Sequence, residues 1–244
     1  MDGWSKDDLA LGLAAIWSIS RQQEPPTLSR PSYAEEVTNG PYIARLSRFI
    51  QLAHAAYLGS DEAFADQIPN ATLKGAVWDS DALAFSQSHY FAVCEETQSV
   101  VLSLRGTYSL DDALMCAGHQ THMYSNGHIS PWAGCQRAAD ALKDKAAAGL
   151  RALMAEFPTY KPVLVGHSLG GGTASVLAVL LHEEFPDLET VVFNSPPALS
   201  ARLADLVQPF VTSVVYGDDV VARANVTSLE QLRDELADFD WKKA

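Results

Sequence analysis

Apolar positions along the chain follow two rhythms: stretches where they recur every three or four residues, and short runs where they crowd together. The first rhythm predicts helices. Leu9, Leu13, Ile16 and Trp17 follow a Ser5/Asp8 pair that resembles a capping box. Ile43, Leu46, Phe49, Ile50, Ala53 and Tyr57 define a second helix over 41–58, with Pro41 in its first turn and Gly59 at its end. The second rhythm, at 72–78, 90–95 and 99–105, predicts strands separated by polar turns. Strand and helix then alternate: a short helix at 110–116, a long one at 134–157 with Ala138, Ala141, Leu142, Ala146, Leu150, Leu153 and Phe157 on one face, a strand at 162–165, a helix at 169–185, a strand at 190–194, a helix at 199–207, a strand at 210–216 and a last helix at 228–238. The unalternated runs Val163-Leu164-Val165 and Val191-Val192-Phe193 imply strands buried on both faces, hence a largely parallel sheet between helix layers. The predicted organisation is one α/β domain over 32–244, preceded by an amphipathic helix and a strap holding Pro25, Pro26 and Pro31 over 1–31. That helix docks on the core or lies on a bilayer surface.

Charge narrows the partners. Lys and Arg number 17 against 30 Asp and Glu, a formal net charge of −13, and such a surface repels a phosphate backbone. Nucleic acid is therefore not expected. Cys94, Cys116 and Cys135 form no C-x-x-C pair and no zinc spacing, so no metal site is expected and a reducing compartment fits. Acidic residues occupy the N-terminus where a signal peptide carries basic ones, and the apolar run 9–17 is about half of the roughly 20 residues a membrane span needs. The expectation is a cytoplasmic protein, or one at the cytosolic face of a membrane.

Gly166-His167-Ser168-Leu169-Gly170 matches G-x-S-x-G between a buried strand and an apolar helix, the setting of a nucleophile elbow. Ser168 is the expected nucleophile, and Gly166 and Gly170 remove side chains that would collide as helix packs on strand. The Leu169 N–H, at the helix start, supplies one oxyanion donor. Thr107, after Gly106 in Leu104-Arg105-Gly106-Thr107-Tyr108, offers a second, or caps the helix at 110. The acid should follow a later strand, which leaves Asp218 or Asp219. His167 diverges from Ser168 as its neighbour; His182 reads as an exposed helix residue, His54 and His89 as structural or exposed, and His119, His122 and His128 as members of a rim loop from which a base could come.

Ser103-Leu104-Arg105-Gly106-Thr107, the G-x-S-x-G pentad, Asn194-Ser195-Pro196-Pro197 and Phe210-Val211-Thr212-Ser213-Val214-Val215, in this order, resemble the class 3 lipase family, and among its members the sn-1-specific diacylglycerol lipases. The resemblance implies an α/β-hydrolase fold and hydrolysis of an acyl ester of a diacylglycerol to a fatty acid and a monoacylglycerol. It places the acid on Asp219, although Asp219-Val220-Val221-Ala222 has Ala where the family has Pro. Calcium stimulation is implied by resemblance alone; no calcium-loop pattern is present, and no cofactor is evident. The family order Ser, Asp, His is not completed, because no histidine follows His182. The sequence therefore reads as a lipase domain lacking its C-terminal strand and histidine loop, with a peripheral membrane surface as a possible partner. The alternatives are a catalytically silent lipase-like binding module and a soluble carboxylesterase or thioesterase.

Overall fold

The computed structural model describes residues 35–79, 87–106, 133–223 and 234. The elements below lie in one compact unit, Gly40–Ser228. The expected helices at 110–116 and in the N-terminal 31 residues, and the last helix apart from Asp234, fall outside the described residues, as do Thr107, His119, His122 and His128.

Helix α1 (Gly40–Ala55) and helix α2 (Asp61–Gln67) precede strands β1 (Ala71–Val77), β2 (His89–Cys94) and β3 (Ser99–Leu104). Helix α3 (Ala133–Glu156), β4 (Lys161–His167), α4 (Leu169–Leu181), β5 (Glu189–Phe193), α5 (Ala201–Val207) and β6 (Val211–Val214) follow, and a 3₁₀ turn spans Val221–Arg223. The six strands form one sheet in chain order. β1, β2 and β3 pair antiparallel, and β3 through β6 pair parallel. The parallel half has the buried strands that the apolar runs predict: β4 and β5 are buried along nearly their whole length.

Successive side chains of a strand point to opposite faces, and the two faces carry different helices. Phe49, Leu52, Ala53 and Ala56 of α1 and its following turn form one cluster with Tyr90, Ala92, Val101, Val163, Val165, Val191 and Phe193. Ile43 and Ile50, counted into that stripe by their spacing, instead face solvent. The buried seam runs through Leu52, where the hydroxyls of Tyr90 and Ser103 both donate to the backbone carbonyl, so these buried polar groups are satisfied. Arg45 adds a bidentate pair to Glu189 at the start of β5. The short helix α2 is absent from the sequence expectation although its signals are present: the Ser60 hydroxyl caps it by accepting the Ala63 N–H at 3.1 Å, and Asp61 and Glu62 occupy its first turn.

The opposite face carries α3 and α4. Cys135, Ala138, Ala139, Leu142, Ala146, Ala147 and Leu150 are buried along α3; Ala138, Leu142, Ala146 and Leu150 lie on the expected face, whereas Ala141 is exposed and Leu153 and Phe157 are half-buried. Gly149 brings α3 down onto the sheet: a Cβ there would lie 2.5 Å from the tip of the Phe91 ring. Helix α4 ends at Leu181, four residues before the predicted 185.

Gly149→Ala sets two effects against each other. Alanine is favoured within a helix by about 1 kcal/mol, whereas overpacking a core costs about 1–3 kcal/mol. Because the buried Phe91 ring has little room to withdraw, we expect a net loss of about 1 kcal/mol by urea denaturation. Adding Phe91→Leu should recover part of it.

Candidate active site

Three strand ends and a turn converge at the carboxyl edge of the parallel strands, where open α/β sheets bind ligands. β4 ends in His167, and α4 begins at Leu169. Ser168 between them is held at φ 54° and ψ −130°, a conformation costly for any residue with a Cβ. Its N–H donates to the Phe193 carbonyl at 3.0 Å, and its carbonyl accepts the Gly171 and Gly172 N–H groups at 2.9 and 3.2 Å. The backbone is thus tied on both sides of the bend. The Ser168 side chain makes no capping bond to its own helix.

The two flanking glycines meet different neighbours. A Cβ on Gly166 would strike the Gly170 carbonyl and the Gly171 nitrogen, the start of the helix that turns back over the strand. A Cβ on Gly170 would strike the Leu104 carbonyl and the Arg105 carbon at the end of β3. The first glycine allows the bend and the second lets α4 settle on the neighbouring strand. Gly172 performs a similar service for α3, since a Cβ there would lie 2.6 Å from the buried Cys135 Sγ. The Leu169 amide belongs to the first turn of α4, whose N–H groups have no acceptor within the helix, and Leu169 is half-buried.

The segment expected to supply the other donor is described as far as Gly106. Arg105 is buried, its N–H donating to the Ser88 carbonyl at 3.0 Å and its Nη1 to the Trp78 carbonyl at 3.1 Å. Gly106 then passes directly over the elbow: a Cβ on it would lie 2.7 Å from the His167 carbonyl and 3.2 Å from Ser168 Cβ. The peptide leading to Thr107 therefore starts beside Ser168.

Beyond β6, Gly217 takes φ 53° and the chain turns through Asp218 and Asp219. The two carboxylates differ. Asp218 is exposed, with Arg223 4.0 Å away. Asp219 is half-buried, and its carboxylate accepts the N–H groups of Val221 and Ala222, both at 3.3 Å. The turn is anchored by Asn194, which follows β5 at φ 46°. Asn194 donates its N–H to the Val214 carbonyl at 2.9 Å and accepts the Tyr216 N–H on Oδ1 at 3.1 Å.

The described histidines are accounted for. His167 Nδ1 is hydrogen-bonded to the Tyr57 hydroxyl at 3.1 Å. Burial lowers its pKa from 6.5, the nearby Asp219 carboxylate opposes this by raising it, and His54 lowers it further. His89 is buried, donates from Nδ1 to the Gln87 carbonyl at 2.7 Å, and is likewise lowered, mainly by burial. His182 corrects the sequence reading: it is half-buried at the end of α4 and stacks on Phe210, with centroids 3.8 Å apart and planes 6° apart. His54 is exposed. Among the described residues no imidazole is hydrogen-bonded to Ser168, and no group of three or more His, Cys, Asp or Glu could hold a metal ion. No described helix is long and apolar enough to cross a membrane.

Tyr57 and Asn194 are the site-shaping residues that sequence reasoning assigned no role. Helical spacing places Tyr57 in an apolar stripe and Asn194 opens a motif of the resembling family, but the contacts of both are made across the fold.

Residues 101–228, which contain the elbow and both aspartates, match the family model for class 3 lipases. The chain belongs to the class 3 lipase family. It is 34% identical over 161 residues to the diacylglycerol lipase-alpha of Homo sapiens, a match covering 61% of this chain and 16% of that protein. It therefore spans less than a fifth of the length of that relative. Its fold is similar to that of the lipase from Rhizopus microsporus var. chinensis, with a TM-score of 0.71 at 18% identity over 85% of this chain and 77% of the other. A triacylglycerol lipase described as having a serine protease triad at its catalytic centre is also similar, with a TM-score of 0.65 at 16% identity over 78% of this chain and 77% of that one. The mostly parallel sheet with its elbow is thus the α/β-hydrolase fold expected of this family.

Two outcomes test the geometry. Ser168→Gly releases strain worth about 1–3 kcal/mol against a backbone-entropy cost of about 0.5–1 kcal/mol, so we expect a small rise in the urea midpoint. Gly170→Ala should lower the midpoint, at a stability cost of about 2–3 kcal/mol, since backbone rather than a yielding side chain stands in the way. For pH, His89 and His167 have folded pKa values below their unfolded value of 6.5. Below 6.5 the unfolded chain binds protons that the folded chain refuses, so stability falls as pH drops from 6.5 toward those lowered values. Urea titrations between pH 7 and 5 should show this decline, and His89→Asn should make it shallower.

Proposed function

We propose that this chain is the ester-hydrolysing domain of a lipase acting on acylglycerols, a diacylglycerol first among them, through an acyl-serine intermediate. The observation that carries the proposal is Ser168, held at positive φ between β4 and α4 with its side chain uncommitted to the helix cap. Ser168 Oγ attacks the ester carbonyl, the carbonyl oxygen becomes an oxyanion, and the N–H groups of Leu169 and Thr107 receive it. Collapse of this intermediate expels the glycerol-side alcohol and leaves the acyl group on Ser168, from which water releases a fatty acid. Asp219 is the acid: it is half-buried, it is held by two backbone N–H groups, and its field reaches His167 beside the nucleophile. The acid's role is to orient an imidazole and stabilise its protonated form. The imidazole that takes the Ser168 proton is sought among His119, His122 and His128 by single His→Ala changes; His167 turns its Nδ1 to Tyr57 instead.

Diacylglycerol is favoured over other esters by the 34% identity to a diacylglycerol lipase. A second reading, a lipase-like module that binds lipid without turning it over, is favoured by the lack of an imidazole bonded to Ser168 among the described residues. One experiment separates the two, because a fluorophosphonate labels only an activated serine. Labelling of the purified chain that is lost in Ser168→Ala supports the hydrolase, and a folded but unlabelled chain supports the binding module.

Where the chain hydrolyses a short-chain diacylglycerol, Ser168→Ala should lower kcat by about 10⁴-fold or more. Asp219→Asn should lower kcat far more than Asp218→Asn does. A larger effect at Asp218 would place the acid one residue earlier.

A further inference from the structure

The turn that ends α1 reaches the site with a side chain the proposed chemistry leaves unused. The Tyr57 hydroxyl accepts the Gly106 N–H at 3.0 Å and shares a hydrogen bond with His167 Nδ1 at 3.1 Å. One oxygen thereby joins three segments: the end of α1, the strand end after β3 and the residue before the nucleophile. A phenol suits this position because its oxygen can accept and donate at once. The fit is close, for a Cβ on Gly106 would lie 2.5 Å from that oxygen, 2.7 Å from the His167 carbonyl and 3.2 Å from Ser168 Cβ.

The two contacts of Tyr57 lie on the two segments that meet beside Ser168. The Gly106 N–H closes the Arg105–Gly106 peptide, so the hydroxyl holds the strand end at the point where it passes over the elbow. His167 leads into Ser168 and the Leu169 amide. Oxyanion donors act only when aimed at the place where charge develops, and displacements of about 1 Å can cost about 100-fold in rate. Resting on the reading of Ser168 as nucleophile, we propose that Tyr57 is a positioning residue whose hydroxyl ties the Gly106 strand end to the elbow and so holds Ser168 and the Leu169 amide in the geometry that attack on an ester carbonyl requires.

Ring packing is separable from this role. Tyr57 meets the His167 ring edge-on at 6.0 Å and the His54 ring at 6.2 Å, contacts that phenylalanine keeps. Tyr57→Phe thus removes the hydroxyl and leaves the aromatic body.

The test compares the full 244-residue chain with its Tyr57→Phe variant in two ways. By NMR hydrogen exchange, the Gly106 amide should exchange about tenfold faster or more in the variant, at an unchanged urea midpoint. With a fluorophosphonate and a short-chain diacylglycerol, the rate of Ser168 labelling and kcat should both fall about tenfold or more while KM stays the same. A purely structural role would lower the urea midpoint and leave kcat per folded molecule unchanged. Unchanged Gly106 exchange would remove the bridge, and labelling at the wild-type rate would remove the positioning role; either overturns the proposal. If the wild-type chain itself is folded and unlabelled, the nucleophile reading fails and takes the positioning role with it, while the exchange measurement still decides whether the bridge exists.

Discussion

A serine held at φ 54° is a local cost that the surrounding structure must sustain, and much of the architecture around β4 can be traced to that requirement. The bend keeps its shape because Ser168 donates to Phe193 on the neighbouring strand and accepts from two amides of α4. That arrangement needs β5 in parallel register beside β4, with His167 opposite Phe193. It also needs α4 pressed onto β3 and β4, which the missing side chains at 166 and 170 permit. Strain of this kind persists only where neighbours over-determine it. Here the neighbours are a buried sheet, a glycine-lined helix start and a second helix packed on Gly172.

The sheet divides its labour between faces. The α1 face is apolar over most of its area but accommodates Tyr90, Ser103 and the Arg45–Glu189 pair, each satisfied by a partner. The α3/α4 face depends on small residues and close approach, as Gly149 against Phe91 and Gly172 against Cys135 show. The site stands at the edge where both layers end, so side chains from either can reach it: Tyr57 from one, and the backbone of α4 from the other.

Much of this arrangement was legible in the amino-acid sequence. Val163-Leu164-Val165 and Val191-Val192-Phe193 declared buried strands because no polar residue interrupts them, and the pentad declared the elbow because its glycines serve a steric need that few other residues meet. What escaped did so for physical reasons. Helix α2 is only seven residues long, too short for periodicity to emerge, although Ser60 with Asp61 and Glu62 marks its start. Ile43 and Ile50 fit a helical stripe, but the α1 seam settles around Phe49, Leu52 and Ala53, where the sheet offers apolar partners. His182 looked like a solvent-facing helix end because nothing near it in sequence announces Phe210. Tyr57 and Asn194 act through partners far along the chain or in another strand, and a lone tyrosine or asparagine carries no local signature of such a contact.

The Arg45–Glu189 pair joins residues 144 apart in sequence, and the Tyr57–His167 contact joins residues 110 apart. Helix α1 therefore leaves the ribosome well before the strands that cover it. β2 and β3 follow first and bring Tyr90, Ala92 and Val101 to the α1 seam, but Val163, Val165, Val191 and Phe193 arrive only with β4 and β5, and closing such long loops is slow because chain entropy must be lost before the contacts form. The nascent chain thus carries a partly covered apolar seam until β4 and β5 are made. Transiently exposed apolar surface of this kind is what makes a folding chain prone to aggregate.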